Sequence, residues 1–559
     1  METGLLSGRL RLWAMGSTLR VQQSTQPRGR SGTSHAQISG PTSCPCQAVP
    51  VFYGFVDHAC GSVQDKRVVL RAGTYHLGGL SSPLLLTPIA SGIELIAAPG
   101  EEAVVTGGVE IRPRWRWWHS SLRSTAVLVT DIPAQMLPPG IAISELLVDG
   151  RRMTTAREPD ANPYNYTTWQ GGVRADSHWG TMQYSNTAGA NQTTVTVEKA
   201  GLPWVRNVSC GDTHFKGAFG GSLGVFADSR GCGWAGHVPV VRQKGLAWAC
   251  PPSNRWCHQP WQNASEASVW CTGLWANLGF EVGSADWNEM HSNSSASATS
   301  TVNLTFSRGG QQMAFGPLWP GVCNDFFIEG IVEALSAPGE FYHDQAMGRL
   351  YLIPYNVSAP PPVVLVAVTT PTLLRFQGSQ DRPVEDITIR GITFRGASKT
   401  FLGPHVSTTN GADWAVSRSA AVEFEGVQRA VVTDSTFDTL GGNAILWSGY
   451  VRDVQILSSE FSWLGGNGVL AIGDDEWGNV TLGDYPLNNT VDQCVFREIG
   501  VYAKHSAAYA EFVAGAANIT RNIIFNVARA GVALNDAMGG GNLLSRNLIF
   551  ATVRESTDQ

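Results

Sequence analysis

A short repeat in the C-terminal third of the chain limits the possible folds more than any other feature. Residues 430–442 read AVVTDSTFDTLGG, and residues 454–466, 24 positions later, read VQILSSEFSWLGG. Residues 522–525 (NIIF) are likewise followed by residues 547–550 (NLIF) after 25 positions. A unit of this length must stack on its neighbours to bury its apolar side, and no helical pattern separates the strands. The sequence therefore predicts an all-β solenoid, a parallel β-helix whose coils each contribute two or three short strands.

Two residue types recur within the repeat and predict how the coils stack. Asn522 and Asn547 are expected to form a ladder at one turn, each amide binding the next coil. The steps between recurring phenylalanines include 35 and 29 residues, which predicts loops inserted from a coil, such as Gly478–Asn489. Insertions in solenoids often lie on the binding face. Inward rings are expected to stack between coils at Phe437, Phe461, Phe496, Phe525 and Phe550.

The middle of the chain has a different character. Short β-branched runs resume the strand pattern within residues 66–111, but the next 270 or so residues show no steady period and hold most of the tryptophans. We interpret this part as a β-rich, sandwich-like insertion that ends near Pro360–Pro362. The predicted order is a disordered or targeting segment (1–47), the first β-helix coils (48–112), the disulfide-bearing insertion (113–380) and the remaining β-helix (381–559).

Composition excludes several classes of protein. Charged residues make up only 15% of the chain, the net charge is −6 and no tract is rich in Lys and Arg, so nucleic-acid binding is not expected. No run of 18 uncharged apolar residues occurs, so we predict no membrane span. Abundant glycine and 19 tryptophans instead favour a turn-rich β protein that binds sugars.

Glycosylation sequons and cysteines favour a secretory compartment. Ten N-x-S/T sequons occur, and six of the ten cysteines lie between Cys210 and Cys323, which fits disulfides better than zinc ligation. Residues 1–47 lack an apolar signal core and carry five arginines against one acid, as a transit peptide or a wrongly assembled first exon would. We expect a glycoprotein that is secreted or at the cell surface.

Four segments resemble a family of right-handed parallel β-helix proteins that includes glycoside hydrolases. They are 146–159 (LLVDGRRMTTAREP), 326–355, 411–450 (GADWAVSR to GGNAILWSGY) and 529–558 (RAGVALNDAMGGGNLLSRNLIFATVRESTD). The resemblance implies a right-handed β-helix that acts on carbohydrate. Gly330 and Phe341 depart from the pattern, which usually has Asn and Trp there. The family pattern also continues beyond Asp558, where Gln559 replaces a His, so we expect this gene product to be incomplete.

Three aspartates are the candidate catalytic residues. Glycoside hydrolysis requires two carboxyl groups about 5–5.5 Å or 6.5–9.5 Å apart, and adjacent coils of a β-helix place equivalent residues at such distances. Counting from the recurring phenylalanines puts Asp536, Asp474 and Asp558 on one lateral face, with Asp536 central and followed by Gly539–Gly541. An Asx-turn role for Asp536 and a solvated loop for Asp474 are the alternatives. Asp474-Asp475-Glu476 also allows calcium binding; we expect no other cofactor or metal.

Five further residues are candidates for binding substrate on the same face: Lys504, His505, Trp447, Trp477 and Asn535. Exposed indoles stack on sugar rings, although core packing is the more frequent role of a single tryptophan. Lys504 with a lowered pKa is a possible base for a polysaccharide lyase. Arg151, Arg152 and Arg157 are expected to fix the junction between insertion and helix.

These observations lead to three hypotheses about function. The first is a glycoside hydrolase that acts on an extracellular polysaccharide with paired carboxylates including Asp536. The second is a non-catalytic glycan-binding or adhesive surface protein. The third is a polysaccharide lyase, for which no recognisable constellation accompanies Lys504. Fold analogy alone does not separate them, because β-helices carry all of these activities.

Overall fold

The structure is a computed structural model, and it describes sixteen stretches of the chain. They are residues 11–15, 18–22, 35–39, 66–79, 82–118, 127–137, 140–158, 193–200, 240–249, 260–272, 277–289, 300–309, 326–407, 415–473, 482–535 and 539–553. Within them the regular elements are β-strands and three short 3-10 helices, Pro88–Ala90, Ala264–Glu266 and Val332–Ala334. No helix in this described part is long and apolar enough to cross a membrane.

Three parallel sheets wind into a solenoid, as the repeat predicts. The first, sheet 1, contains Leu84–Leu86, Leu374–Gln377, the first half of Ala420–Thr433, Asn443–Arg452, Val469–Ile472, Ala507–Phe512 and Ala530–Leu534. Sheet 2 contains Lys66–Leu70, Ile93–Ala97, Val384–Arg390, the second half of Ala420–Thr433, Gln455–Leu457, Thr490–Asp492, Asn518–Thr520 and Leu543–Ser545. Sheet 3 contains Gly73–His76, Ala103–Thr106, Ile392–Arg395, Thr436–Asp438, Glu460–Leu464, Val495–Ile499, Ile523–Val527 and Leu548–Phe550. The chain is an all-β parallel solenoid.

Short strands precede the first coil. Arg11–Met15, Thr18–Gln22 and His35–Ser39 pair antiparallel in that order, and the last of them pairs antiparallel with Lys66–Leu70. These strands lie within the segment that the sequence assigns to disorder or targeting.

The insertion leaves the solenoid between sheet 3 and sheet 1. It forms three largely antiparallel sheets. The four-stranded sheet contains Arg151–Arg152, Glu145–Val148, Leu365–Val368 and Gly108–Ile111; the five-stranded one contains Arg116–Trp118, Val127–Asp131, Arg349–Leu352, Glu340–Asp344 and Thr154–Thr155; the seven-stranded one contains Arg157–Glu158, Phe326–Glu329, Ser268–Thr272, Asn277–Glu289, Ser300–Gly309, Val240–Ala249 and Thr193–Ala200. A two-strand ladder, Val406–Ser407 with Ala415–Val416, lies in the next loop of the solenoid.

The two ends of the insertion meet. The Gly107 carbonyl oxygen accepts hydrogen bonds from the amides of Thr369 and Thr370, at 3.1 and 3.2 Å. The solenoid then resumes with Leu374–Gln377, which pairs in parallel with Leu84–Leu86. The described insertion therefore spans 108–368, and its last strand ends before the boundary at 380 that the composition suggested.

A column of aromatic rings runs through the core. Phe394, Phe437, Phe461 and Phe496 are buried and stack in sequence with ring centroids 5.0, 4.7 and 4.4 Å apart. This agrees with the predicted stack at Phe437, Phe461 and Phe496. Each ring packs on the ring of the preceding coil, and this close packing keeps equivalent residues of adjacent coils aligned.

The predicted stack fails at Phe525. Phe496 pairs with Ile524, whereas Phe525 pairs with Arg497 and therefore points to the other face of the strand. Phe525 stacks instead on Phe550, with centroids 5.1 Å apart, and Phe550 is 48% exposed. The repeated sequence NxIF does not reveal this shift, because the isoleucine at its third position fills the core as well as a phenylalanine would.

The asparagine ladder is present as predicted. The Asn522 side-chain amide donates to Asn547 Oδ1 (3.0 Å) and to the Val491 carbonyl (3.0 Å), and its Oδ1 accepts from the Cys494 amide (2.9 Å). At the turn, these backbone amide and carbonyl groups have no partner in a neighbouring strand, and the asparagine side chains supply one. Adjacent coils therefore stay hydrogen-bonded to each other where neither has a strand.

Cys494 is the one cysteine whose side chain the structure describes. It is buried as a free thiol, and burial raises its pKa to about 12. The six cysteines on which the disulfide prediction depends lie outside the residues whose side chains are described.

Paired substitutions test the shift of register at Phe525. Phe461→Ala is expected to lower the free energy of unfolding by about 3–5 kcal/mol, because it opens a cavity inside the ring column. Phe525→Ala is expected to cost less than about 1.5 kcal/mol, because its ring lies on the outer face. Urea unfolding of both variants measures the difference; equal losses would contradict this assignment of faces.

Candidate functional site

A cleft lies between the insertion and the turns that connect sheet 3 to sheet 1. Three successive coils, residues 400–405 and residues 415–417 form its walls, and one insertion strand contributes to its edge. Most of the lining residues are buried, so the cleft is narrow. The residues that line it are Asn277, Thr400, Phe401, His405, Ala415, Val416, Ser417, Gly441, Gly442, Asn443, Gly465, Gly466, Asn467, Ala503, His505 and Ser506.

Paired glycines line the cleft. They end the two copies of the sequence repeat, at Gly441-Gly442 and Gly465-Gly466, and all four are buried. A Cβ on Gly465 would lie 2.1 Å from the Gly441 carbonyl oxygen, and one on Gly442 would lie 2.5 Å from Thr400 Oγ1. Only glycine allows the turns to stack this closely.

Two asparagines form a second ladder along the cleft floor. Asn467 Nδ2 donates to Asn443 Oδ1 (3.0 Å), and Asn467 Oδ1 accepts from the Ala507 amide (2.8 Å). Asn443 Nδ2 in turn donates to the carbonyls of Ser417 and Ser419, both at 2.9 Å. The ladder holds in place the beginnings of four neighbouring strands of sheet 1, from Ala420–Thr433 to Ala507–Phe512, and their spacing sets the width of the cleft floor.

Two buried histidines face the cleft in the neutral form. Burial lowers the pKa of His405 to about 4, and burial followed by the charge of Arg529 lowers the pKa of His505 well below its ordinary value. His405 Nδ1 lies 3.0 Å from the Gly403 carbonyl oxygen, so this nitrogen carries the proton and donates. A neutral imidazole suits hydrogen bonding to hydroxyl groups better than binding of a charged group.

None of the described residues that line the cleft is an aspartate or glutamate. The lining offers amides, hydroxyls, imidazoles and backbone groups, which hydrogen-bond to a polyhydroxylated ligand. It does not offer the two carboxyl groups that glycoside hydrolysis requires. The described lining therefore offers hydrogen-bonding groups but no acid or nucleophile for cleavage.

A buried charge network holds the insertion against the cleft. Lys399 Nζ lies 3.3 Å from Glu329 Oε1 of the insertion and 4.6 Å from the centre of the Tyr502 ring. Glu329 also pairs with Arg157 (2.7 Å) and accepts from Trp270 Nε1 (2.9 Å). Although burial opposes it, the charges of Lys399 and Arg157 lower the pKa of Glu329, which keeps the carboxylate ionised. The contact that crosses from the solenoid to the insertion is therefore Lys399 with Glu329, and Arg157 supports it from within the insertion.

Polar contacts complete the junction. Asn277 Nδ2 donates to the Tyr502 carbonyl (2.7 Å), and Asn277 Oδ1 accepts from the Lys504 amide (2.9 Å). The Arg152 guanidinium lies 5.3 Å from the centre of the Tyr502 ring, and within the insertion Arg152 Nε lies 2.9 Å from Glu145 Oε1, with both side chains 1% exposed. Removing one partner of such a pair leaves a buried charge and is strongly destabilising.

The structure separates the residues that the sequence placed on one face. Lys504 and His505 precede the strand Ala507–Phe512, whereas Asn535 follows Ala530–Leu534, which pairs beside it in parallel. A six-residue strand spans about 20 Å. Lys504 and His505 therefore lie near the beginning of the strands of sheet 1, and Asn535 lies near their far end. The count failed because the turn to sheet 1 differs in length between the two coils: Ala507 lies 11 residues after Phe496, whereas its partner Ala530 lies six residues after Ile524, the partner of Phe496. Asn535 is half-buried, and its amide donates to the Glu511 carbonyl at 3.1 Å.

Lys504 and Trp447 do not present binding surfaces. Lys504 is 4% exposed, and its amine donates to the carbonyls of Gly500 (3.1 Å) and Val501 (2.9 Å). The Trp447 side chain is fully buried and packs against Tyr509, with ring centroids 6.2 Å apart. No face of this indole is available to a sugar ring, because Trp447 points into the solenoid. Of the four binding candidates that the structure describes, His505 alone lines the cleft.

The catalytic candidates Asp536, Asp558 and Asp474, together with Trp477, lie outside the described residues. The acidic run at 474–476, where calcium binding is possible, is also outside them. Among the described side chains no group of three or more His, Cys, Asp or Glu is able to hold a metal ion.

Sequence reasoning missed His405, Asn467 and Asn277. The Gly-Gly pair at the end of each repeat was the available signal for Asn467, since an asparagine follows it in both copies. No local pattern identifies Asn277 or His405, because both reach the cleft from segments outside the repeat.

Comparisons with known proteins bear on the fold. No protein-family model matches the sequence, and no curated protein matches it. A solved structure described as a glycoside hydrolase covers 88% of this chain and 76% of its own, with a TM-score of 0.58 and 15% identity. XylC in complex with xylose covers 87% of this chain and 57% of its own, with a TM-score of 0.35 and 10% identity. At 15% sequence identity, the first structure shows a shared fold and nothing about activity. With a TM-score of 0.35, the second superposes too poorly to support even a shared fold.

Two buried histidines, His405 at the cleft and His343 in the insertion strand Glu340–Asp344, are expected to make the folded protein less stable in acid. The folded protein holds His405 and His343 with pKa values of about 4, lowered mainly by burial, whereas unfolded histidine titrates near 6.5. Between these values the unfolded state binds more protons, so the free energy of unfolding falls as pH drops from about 6.5 towards 4. The expected slope is up to about 1.4 kcal/mol per pH unit for each imidazole.

Urea unfolding at pH 7 and pH 5 measures this dependence. His405→Asn removes one of the titrating groups and is expected to flatten the slope by the contribution of one proton. A wild-type stability that is unchanged between the two pH values would show that these imidazoles are not held neutral by the fold.

Proposed function

We propose that this protein is a carbohydrate-active β-helix protein that binds a glycan in the cleft between the insertion and the coil turns. The observation that carries the proposal is the lining, which combines uncharged hydrogen-bonding side chains with closely stacked glycine turns. Such a surface matches the alternating hydroxyl groups of a sugar and has no charge to desolvate. The shared fold with a structure described as a glycoside hydrolase supports the proposal.

The more specific form of the proposal is glycoside hydrolysis of an extracellular polysaccharide. Asp536 is the proposed catalytic carboxyl, with Asp558 or Asp474 as its partner. A separation of about 5–5.5 Å between the two carboxyl groups corresponds to retention and 6.5–9.5 Å to inversion. Secretion or display at the cell surface, supported by the ten sequons, would bring the protein to such a substrate.

One observation favours a non-catalytic glycan-binding protein as the second candidate. The described lining of the cleft contains no carboxyl group, so a glycan bound there meets no acid or nucleophile from these residues. The lyase hypothesis receives less support. The Lys504 amine is buried and bonded to two carbonyl oxygens, which leaves it without access to substrate.

Filling the cleft tests the binding site. Ser417→Trp places an indole into the cleft from a half-buried position and is expected to abolish glycan retention on an array of plant, algal and bacterial polysaccharides. Val363→Trp adds the same side chain at a position that is 78% exposed and outside the lining, and serves as the control. If Ser417→Trp binds the same glycans as the control, the cleft is not the site.

A second pair of variants tests hydrolysis. If the protein releases sugars from a bound glycan, Asp536→Asn is expected to lower kcat by about 10³-fold or more, because it removes an ionisable group that the reaction requires. Asp434→Asn is the control, since Asp434 is exposed and has a positive φ of 51° that asparagine also adopts. A full rate for Asp536→Asn would exclude Asp536, and binding without any product would favour the non-catalytic candidate.

A further inference from the structure

The N-x-S/T sequons differ in how the folded protein treats their two recognition groups. A glycan is attached to the asparagine side-chain nitrogen, and the hydroxyl group two residues later completes the motif. The structure describes the asparagine of five of the ten sequons, namely Asn263, Asn303, Asn356, Asn488 and Asn518. In four of these five, a side-chain hydrogen bond of the folded protein holds one of the two groups.

The asparagine nitrogen is held in two of the sequons. Asn263 Nδ2 donates to the Tyr342 hydroxyl at 2.9 Å, and Asn488 Nδ2 donates to Asp453 Oδ1. Asn263 is also half-buried, whereas Asn488 is exposed. A glycan on either nitrogen therefore has to be accommodated beside an existing side-chain contact.

The hydroxyl group is held in two others. Thr305 Oγ1 lies 2.6 Å from Ser284 Oγ, and Thr520 Oγ1 donates to Asp492 Oδ1 at 2.6 Å. The asparagine two residues before each threonine is half-buried and lies within a strand. Both sequons are thus part of sheets once the chain has folded.

The sequon Asn356-Val357-Ser358 differs from these four. It begins a run of five exposed residues, 356–360. The Asn356 carbonyl oxygen accepts from the Ala359 amide (3.1 Å), and Asn356 Oδ1 accepts from the Ser358 amide (3.0 Å), so the segment forms a tight turn. Neither Asn356 Nδ2 nor the Ser358 hydroxyl forms a hydrogen bond with a described residue. Both recognition groups therefore remain available in the folded protein.

We propose that Asn356 is a site of N-glycosylation and is modified more completely than the other four described sequons. The donor is an oligosaccharide linked to a lipid diphosphate. Asn356 Nδ2 forms a bond to the anomeric carbon of the sugar, and the bond between that carbon and the diphosphate oxygen breaks. The lipid diphosphate leaves with the electron pair, and the amide loses one proton. The modification goes beyond the proposed function, since it rests on the expected secretion and not on glycan binding in the cleft.

Folding competes with this transfer. A nitrogen or hydroxyl group that becomes bonded as the chain folds is accessible to the transferase only before that step. The turn at Asn356 presents its two groups both before and after folding, so transfer there does not depend on the order of events. A bulky hydrophilic glycan is also accommodated in solvent at this position, because the whole turn is exposed.

The experiment expresses the full chain behind a signal peptide in eukaryotic secretory cells. Enzymatic deglycosylation in heavy-oxygen water labels each modified asparagine, and peptide mass spectrometry then gives the modified fraction of every sequon. We expect the largest fraction at Asn356. Asn356→Gln and Ser358→Ala are each expected to lose one glycan, whereas Ser358→Thr is expected to retain it. A chain without glycan at Asn356 would overturn the proposal, and so would a larger modified fraction at any of the other four sequons.

A matched pair of variants tests the effect of a held group. Asp453→Gly frees Asn488 Nδ2 and is expected to raise the modified fraction at Asn488, since Asp453 is exposed and its φ of 53° suits glycine. Asp434→Gly is the control, because Asp434 is also exposed, has a φ of 51° and contacts no sequon. An unchanged fraction at Asn488, or an equal rise in both variants, would overturn the role given to the hydrogen bond.

The modification and the cleft fail independently. Ser417→Trp is expected to carry the same glycans as the wild type, because Ser417 belongs to no sequon. Asn356→Gln is expected to bind polysaccharides as the wild type does, because Asn356 lies outside the described lining of the cleft. Loss of polysaccharide binding therefore contradicts the proposed function alone, and an unmodified Asn356 contradicts this proposal alone.

Discussion

Hydrogen bonding between neighbouring coils is the interaction on which the whole solenoid depends. The strands of each coil are three to seven residues in most cases, and each pairs in parallel with the coils before and after it rather than with its own. A backbone group that lost this partner would be buried and unpaired, at a cost comparable to the hydrogen bond itself. The asparagine ladders continue the same bonding through the turns, and the ring column keeps the coils in one register. Stability is thus approximately a sum over adjacent pairs of coils.

The cleft lies at the turns between sheet 3 and sheet 1. There the coils approach so closely that glycine is required, and none of the described lining residues is charged. Just outside the cleft, the Glu329 carboxylate pairs with both Lys399 and Arg157. Burying these groups is costly, and only their close pairing keeps that cost low. The insertion is therefore held in a defined position while the cleft itself remains neutral.

The repeat was sufficient to predict the fold and part of its packing. Its period predicted the parallel solenoid, and the ring stack at Phe437, Phe461 and Phe496 and the Asn522–Asn547 ladder follow from equivalent positions in the repeat. Phe525 was misplaced because a one-residue slip reverses every side chain of a strand, and Ile524 satisfied the core in its stead. Trp447 was misplaced because sequence spacing does not reveal which face of a strand is inward. The cleft was not predicted, since Asn277 reaches it from the insertion, far away in sequence.

The neck of the insertion, where Gly107 is hydrogen-bonded to Thr369 and Thr370, lets the solenoid carry a long excursion of the chain. A segment whose two ends already meet adds little strain to its host, since loop-closure entropy grows only slowly with length. The insertion is nevertheless not interchangeable with a short turn, because Glu329 pairs with Lys399 of the solenoid and Asn277 binds the turn at Tyr502 and Lys504. Its removal would leave the Lys399 amine without this carboxylate, so the insertion and the solenoid are expected to depend on each other for stability.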